Sequence, residues 1–350
     1  MNTPVRTPPP SIVVMGGSQG GIEALQEIVA VLPADLAAAI FVVIHLPVEA
    51  DSYLPSMLTR AGMIRAAHPA DREPIRPGQI YVAPPNYHLT LEYGDVHIFK
   101  GPRENRHRPA IDPLFRTAAR SFGPRVIAVV LSGNLDDGSA GLLAVRRRGG
   151  SAIVQDPQNA IAGEMPKRAL EYAGADYTLP IAAIGPKIVE LVRSRGAAMN
   201  SPTKRSDARA KGKNKKKNAN PDPEVTEHED DFTSEQGNGK ASVFACPECH
   251  GVLWEMKQGQ LVRYRCRVGH AYTADSLKGE LGESAERALW AAMRALEEKA
   301  AMSRRLSASA KGPKTYLERL KDQAEGDAAN ARAIRKMIFN EELTGKTRAS

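Results

Sequence analysis

Apolar and polar positions fall into two regimes, one on each side of a long polar stretch. Between residues 11 and 196, short apolar runs alternate with segments of helical spacing. The runs at 11–15, 40–44 and 125–131 are rich in β-branched residues, and 152–155 is a weaker example. Continuous apolar runs of this length predict strands covered on both faces. Helical spacing fits 22–32, 52–61, 112–121, 140–148 and 184–193. A β-hairpin is expected at 89–92 and 96–99, joined through Tyr93-Gly94-Asp95. The alternation predicts an α/β domain with a doubly wound, mostly parallel sheet over 11–196. Beyond residue 240 a compact Cys/His segment (241–275) precedes two apolar stripes. The first is Leu281, Ala285, Leu289, Ala292 and Leu296; the second is Leu317, Leu320, Ala324, Ala328 and Ala331. Their spacing of three and four, across a Lys311-Gly312-Pro313 break, predicts a helical hairpin over 276–340.

Charge sharpens the boundary between the two regimes. Ser201 to Asn220 holds eight Lys/Arg against one acid, and Pro221 to Lys240 holds seven acids against one Lys. Such a stretch buries too little to offset backbone ordering of about 1–2 kcal/mol per residue, so 197–240 reads as a disordered linker. Residues 1–10, with Thr7-Pro8-Pro9-Pro10, read as a flexible leader. The formal net charge of +8 sits largely in the linker block, which argues against a folded nucleic-acid-binding face. With 42% hydrophobic residues in 350, there is material for a sizeable core. No apolar run reaches the roughly 18–20 residues of a membrane span, so no membrane insertion is expected. Three cysteines make no disulfide framework and suit a reducing, cytoplasmic setting.

Chemistry first shows at Ile12-Val13-Val14-Met15-Gly16-Gly17-Ser18-Gln19-Gly20-Gly21, an apolar strand entering a glycine-rich turn and then a helix. Gly16, Ser18 and Gly20 have G-x-S-x-G spacing, which presents a serine nucleophile at the carboxyl edge of a sheet. On this segment alone, a phosphate-binding turn uses the same helix terminus. A serine hydroxyl needs a base. His45 ends the 40–44 run, at the strand end where ligands bind in this architecture. His68, His88 and His97 have no comparable placement. A third group should orient the imidazole. Leu131-Ser132-Gly133-Asn134-Leu135-Asp136-Asp137-Gly138 offers two adjacent carboxylates after a strand, and the residues alone do not choose between Asp136 and Asp137.

Four blocks together resemble the catalytic domain of the chemotaxis-type protein-glutamate methylesterases, the CheB family. They are Gly17-Ser18-Gln19-Gly20-Gly21, Val43-Ile44-His45-Leu46-Pro47, Asn105-Arg106-His107-Arg108-Pro109, and Leu131-Ser132-Gly133 with Asp137-Gly138. The resemblance runs from about residue 12 to 192. It implies Ser18 as nucleophile, His45 as base and Asp137 as orienting acid. It further implies hydrolysis of γ-glutamyl methyl esters on methylated chemoreceptors with release of methanol, no catalytic cofactor, and in some members glutamine deamidation. The family's best-known members begin with a phosphorylatable receiver domain; with about ten residues before the first strand here, activation by aspartyl phosphorylation within this chain is not expected. Asn134 stands where many relatives carry methionine beside the site. Arg106, His107 and Arg108 are substrate-side candidates; the alternative is a loop held by local hydrogen bonds. The Pro84-Pro85-Asn86 and Met165-Pro166 turns are expected as cleft walls.

All three cysteines lie in the second regime, as Cys246-Pro247-Glu248-Cys249 and Cys266-Arg267-Val268-Gly269-His270. C-x₂-C followed by C-x₃-H supplies four ligands, Cys246, Cys249, Cys266 and His270, for a structural Zn²⁺ in a zinc-ribbon-like module. His250 is an alternative fourth ligand, disfavoured by its adjacency to Cys249. Ribbon and hairpin read as a docking element for signalling proteins. Arg263, Arg265 and Arg267 admit nucleic acid, but no aromatic platform accompanies them. Two functions remain in view: an esterase, or a non-enzymatic adaptor that keeps the esterase fold as a docking surface.

Overall fold

Side chains of the first strand alternate between two covered faces, and the rest of the domain follows from that alternation. The structure is a computed structural model that describes residues 11–46, 52–92, 94–200, 239–309 and 313–345. The expected leader and residues 201–238 of the expected linker lie outside the described residues. In β1 (Ser11–Gly17), Ile12 and Val14 enter one core while Val13 and Met15 enter the other, and all four are fully buried. The chain continues through α1 (Gly21–Ala30), β2 (Ala38–Ile44), α2 (Leu54–Ala61), β3 (Arg65–Ala67), β4 (Glu73–Pro74) and β5 (Gln79–Val82). An antiparallel hairpin, β6 (His88–Glu92) and β7 (Asp95–Phe99), follows as expected. Then come α3 (Ile111–Phe122), β8 (Val126–Val130), α4 (Ser139–Arg147), β9 (Ser151–Gln155), α5 (Glu164–Tyr172), β10 (Tyr177–Leu179) and α6 (Ile181–Asn200).

Seven strands form one sheet in the order β10-β9-β8-β1-β2-β5-β3, with every pairing parallel. Residues of α1, α2 and α6 fill the core on one face; α3, α4 and α5 fill the other. The chain moves outward from β1 through β2 and then returns to β8 on the opposite side. The β1/β8 junction is therefore the switch point where this architecture opens a crevice. The Met165-Pro166 pair, expected as a cleft-wall turn, instead lies in the first turn of α5, where proline's missing N–H costs nothing.

After the gap, β11 (Lys240–Ala245), β12 (Val252–Gln258), β13 (Leu261–Cys266) and β14 (Ala271–Thr273) make a four-stranded antiparallel sheet. Leu253, Leu261, Tyr264 and Tyr272 are buried in it, whereas Trp254 is 41% exposed. So few apolar residues make a small core, and the sheet is also fastened to the loop before α3. Asn105 N–H donates to Ala271 O (2.8 Å), and Ala271 N–H donates to Arg103 O (3.3 Å).

The chain divides into two compact units, Met1–Leu277 and Lys278–Ser350. The second holds the bulk of α7 (Ala274–Ser309) and all of α8 (Lys314–Gly345), an antiparallel pair. Its crossings are Lys299 to Asp327 (3.1 Å), Arg335 to Glu297 (2.9 Å), and Trp290 edge-on to Phe339. On α8 the expected stripe is the packed one: Leu320, Ala324 and Ala331 are buried. On α7 the seam is rotated: Met293 and Ala300 are buried while Ala285 and Ala292 are exposed.

Candidate active site

Strand register brings the site together. In the β1–β2 pairing Gly16 stands opposite Val43 and Gly17 opposite Ile44, so the next residue on each strand is Ser18 and His45. His45 N–H donates to Gly17 O (3.3 Å), which continues the pairing one residue past the strand ends. On the other side of β1, Ser18 N–H donates to Ser132 O (2.9 Å), tying the turn to the loop after β8. Gly20 has φ 76°, a left-handed conformation, and a Cβ there would lie 2.6 Å from Ile161 Cβ and 2.8 Å from Ser132 Oγ. Glycine is thus required by both conformation and space.

Asp137, and not Asp136, meets the imidazole. Asp137 Oδ2 accepts from His45 Nε2 (2.8 Å) and from Ile111 N–H (2.7 Å). Its Oδ1 accepts from Gly138 N–H (2.9 Å), Asp112 N–H (3.2 Å) and the Asn105 Nδ2 amide (3.0 Å). The α3 N-cap residue, Ala110, has no side chain that could cap, so Asp137 caps that helix from another element. Burial alone raises this carboxyl. The His45 bond and charge, the Ile111 N–H and the Asn105 amide outweigh it and hold Asp137 well below the usual carboxylate range. With Nε2 engaged, His45 presents Nδ1 as its other nitrogen; that atom is buried and has no hydrogen-bond partner. The Ser18 hydroxyl therefore does not bond it in this conformation. Catalytic hydrogen bonds are commonly long in substrate-free proteins and tighten when substrate binds.

Asp136 faces the other way. Its Oδ1 accepts from Thr273 Oγ1 (2.7 Å), and burial pushes its carboxyl up to about 7. The 105–109 block divides by residue. His107 stacks on His45 with ring centroids 3.5 Å apart and planes 9° from parallel. Burial first, and the neighbouring His45 second, push His107 down to about 3, so it stays neutral. Arg108 donates through Nε and Nη2 to Asn86 Oδ1 (2.9 and 2.6 Å) and through Nη1 to Gly101 O (2.5 Å). Its guanidinium thus braces the Pro84-Pro85-Asn86 turn. Arg106 is half-buried at φ 73°. Asn134 Nδ2 donates to Gln19 Oε1 (2.8 Å), so it links the Ser18 turn to the β8 loop. A cavity of about 700 Å³ lies against β6, β7, α3 and β13, and none of Ser18, His45 or Asp137 borders it.

Sequence reasoning missed Asn105 and Asp112. Asp112 is buried, its carboxyl pushed up to about 6 by burial and by the charge of Asp137. Asn105 Nδ2 bridges Asp112 Oδ2 and Asp137 Oδ1, both at 3.0 Å. A signal existed in the Asn-Arg-His-Arg-Pro run immediately before a helix, but nothing in it says which carboxylate the amide meets.

The sequence model of the CheB methylesterase family matches residues 13–188, half of the chain, and includes Ser18, His45 and Asp137. The chain belongs to the CheB methylesterase family. It is 37% identical over 182 residues to protein-glutamate methylesterase/protein-glutamine glutaminase 2 of Xanthomonas campestris, 51% of each chain, so it spans about half the length of that relative. It is 37% identical over 180 residues to a putative protein-glutamate methylesterase/protein-glutamine glutaminase of Leptospira interrogans, covering 51% of this chain and 93% of that one. The crystal structure of the Thermotoga maritima CheB methylesterase catalytic domain matches with a TM-score of 0.50 at 35% identity, over 52% of this chain and 98% of that one. In CheB terms, β1 through the first two turns of α6 is the family domain; the Cys/His sheet and the hairpin lie outside the match.

That sheet gathers the four expected metal ligands. Cys246 Sγ, Cys249 Sγ, Cys266 Sγ and a ring nitrogen of His270 lie within 4.8 Å of one another. Cys249 and Cys266 sulfurs are 3.5 Å apart; His270 Nδ1 is 3.5 Å from Cys266 Sγ and 3.7 Å from Cys246 Sγ. A tetrahedron with Zn–S of about 2.3 Å and Zn–N of about 2.0 Å has edges of about 3.5–3.8 Å, so the donor set fits zinc. The outer His270 Nε2 sits 3.3 Å from Glu248 Oε2, the carboxylate partner that fixes a ligating imidazole. His250 is exposed at φ 59° on the knuckle and is not in the cluster. Arg263, one of the arginines that admitted nucleic acid, is 3% exposed and pairs with Glu104 (3.3 Å).

Proposed function

We propose that the chain is a serine-type protein-glutamate methylesterase acting on γ-glutamyl methyl esters of methylated receptors. One observation carries the reading: Ser18 and His45 occupy matched positions on adjacent central strands, and His45 is held through Nε2 by the buried, ionised Asp137. In this scheme Ser18 Oγ attacks the ester carbonyl as its proton passes to His45 Nδ1, the nitrogen left over by Asp137. Ser18 N–H and Gly21 N–H already donate to Ser132 O and Ser18 O, so the turn N–H groups of Gln19 and Gly20 receive the oxyanion. Collapse passes the proton to the leaving methoxide, which departs as methanol. Water, deprotonated by the same nitrogen, then cleaves the acyl-enzyme to the free carboxylate and regenerates Ser18. Glutamine would enter by the same acyl route with ammonia leaving, in keeping with the double name of the relatives.

His107 suits this scheme because a neutral ring on the face of His45 adds no charge to oppose the imidazolium. We place the reaction in the cytoplasm, where the free thiols of the second module persist; among the described residues no helix is long and apolar enough to cross a membrane. Cys246, Cys249, Cys266 and His270 would hold a structural zinc, which supplies a closed knot in a small sheet and no reactive coordination position. The hairpin would dock signalling proteins. Methanol release from methyl-labelled receptor membranes by wild type and by S18A tests the reading. Release by wild type and loss by about 10³-fold or more in S18A is expected. Equal release would remove Ser18 from the chemistry, and none from either would favour a docking protein.

A further inference from the structure

The Cys/His sheet reaches the catalytic acid through one side chain. Thr273 precedes α7 and, with Ser276, forms a reciprocal capping pair. Thr273 N–H donates to Ser276 Oγ (2.9 Å), and Ser276 N–H donates to Thr273 Oγ1 (3.2 Å). Both then turn toward the loop before α3. Thr273 N–H (3.1 Å) and Ser276 Oγ (3.2 Å) donate to Asn105 Oδ1. The amide's other end donates to Asp137 Oδ1 and Asp112 Oδ2. Backbone bonds between Asn105 and Ala271, and between Ala271 and Arg103, hold the loop as an added edge on β14. A second, ionic fastening lies beside it, where Glu104 accepts from Arg116 of α3 (2.9 Å to each oxygen) and from Arg263 of β13 (3.3 Å).

The orientation of Asn105 is thus set from both ends of its amide. Two donors from the module force its oxygen one way, which aims its NH₂ at the two carboxylates. Flipping the amide would set an oxygen against Asp137 and an NH₂ against two donors. Asn105 also sits at φ 48°, a left-handed conformation that asparagine tolerates better than most residues. All of these groups are buried, where an unmatched amide is costly.

We propose that Asn105 is a positioning residue for Asp137, and that the Thr273–Ser276 capping pair of the appended module locks it in place. The module is then part of the catalytic machinery and more than a docking appendage. This deepens the esterase reading, and its test has an arm that does not depend on that reading.

The groups around the His45–Asp137 pair are His107 and Asn105 from the loop before α3, with Arg103 and Arg106 acting on His107, Asp112 from α3, Asp136 beside Asp137, and His88 from β6. Arg116 and Arg263 act on Asp112. S276A and N105A delete none of these ionisable groups. Loosening the amide removes donation to the Asp137 carboxylate, so its negative charge stabilises the imidazolium more strongly and His45 should titrate at higher pH.

The experiment is side-chain ¹⁵N NMR titration of His45 in the full-length chain as wild type, S276A, S276T and N105A. Circular dichroism would report folding. An upward move of about half a unit or more is expected in S276A and N105A, with S276T, which keeps the hydroxyl, near wild type. Kinetically, the acid limb of kcat/KM should move by the same amount, and kcat should fall about tenfold with KM unchanged. An unmoved His45 titration in folded S276A overturns the proposal, whatever N105A does. If wild type releases no methanol, the esterase reading fails and the NMR arm still decides this one.

Discussion

Adjacent carboxylates at positions 136 and 137 end in opposite electrostatic states because one receives five donors and the other receives one. Asp137 is ionised by the His45 bond and by N–H groups of α3, while burial leaves Asp136 pushed up to about 7. An unfolded carboxyl titrates near about 3.9. Folded Asp136 therefore keeps its proton where the unfolded chain has lost it. Stability from this group falls as pH rises from about 4 to about 7, then levels off. Asn copies the neutral acid and still accepts from Thr273, so D136N should gain on wild type between pH 4 and pH 8 in urea denaturation. A constant offset at both pH values would contradict that assignment. Ser18 and His45 were legible because strand-end position can be read from the apolar runs that precede them. Asp137 became legible only through the resemblance, since two neighbouring acids look alike until a fold turns one inward. Asn105 was not legible. Its role depends on meeting Thr273, 168 residues further along the chain.

At the scale of elements, the site rests on the rigidity of the central strands. Phe41 of β2 and Tyr81 of β5 stack with centroids 5.0 Å apart and planes 10° from parallel, both fully buried. F41A should cost about 3–5 kcal/mol, read as a lower urea midpoint at unchanged slope. A cost under about 1 kcal/mol would mean that this face of the sheet is not packed as described. The strands β1, β2, β8 and β9 were legible as β-branched runs, and so was the β6–β7 hairpin. β3, with Arg65-Ala66-Ala67, and β10, with Tyr177-Thr178-Leu179, were not. They are three residues long, and β3 takes its conformation from pairing to β5 along the sheet edge rather than from its own pattern. α5 was missed because proline in its first turn reads as a turn signal until the helix beyond it is recognised.

Across the whole molecule, a family domain carries an added sheet that gathers a Cys₃His cluster. The full-length chain should bind about one zinc. Chelation should abolish hydrogen-exchange protection in β12 and β13 while β1, β2 and β8 keep theirs. Unchanged protection in β12 and β13 would remove the metal from the account. The cluster was legible from spacing alone, since C-x₂-C and C-x₃-H constrain geometry locally. The fastening of this sheet to the loop before α3 was not, because it is made of backbone edges and single polar side chains with no periodicity. The central claim is that Ser18, His45 and Asp137 work as one unit. The most direct test is methanol release by wild type, S18A, D137N and the S18A/D137N pair. Each single variant should lose about 10³-fold or more, and the pair should be no slower than S18A alone. Losses that multiply in the pair, or an S18A protein as fast as wild type, would contradict it.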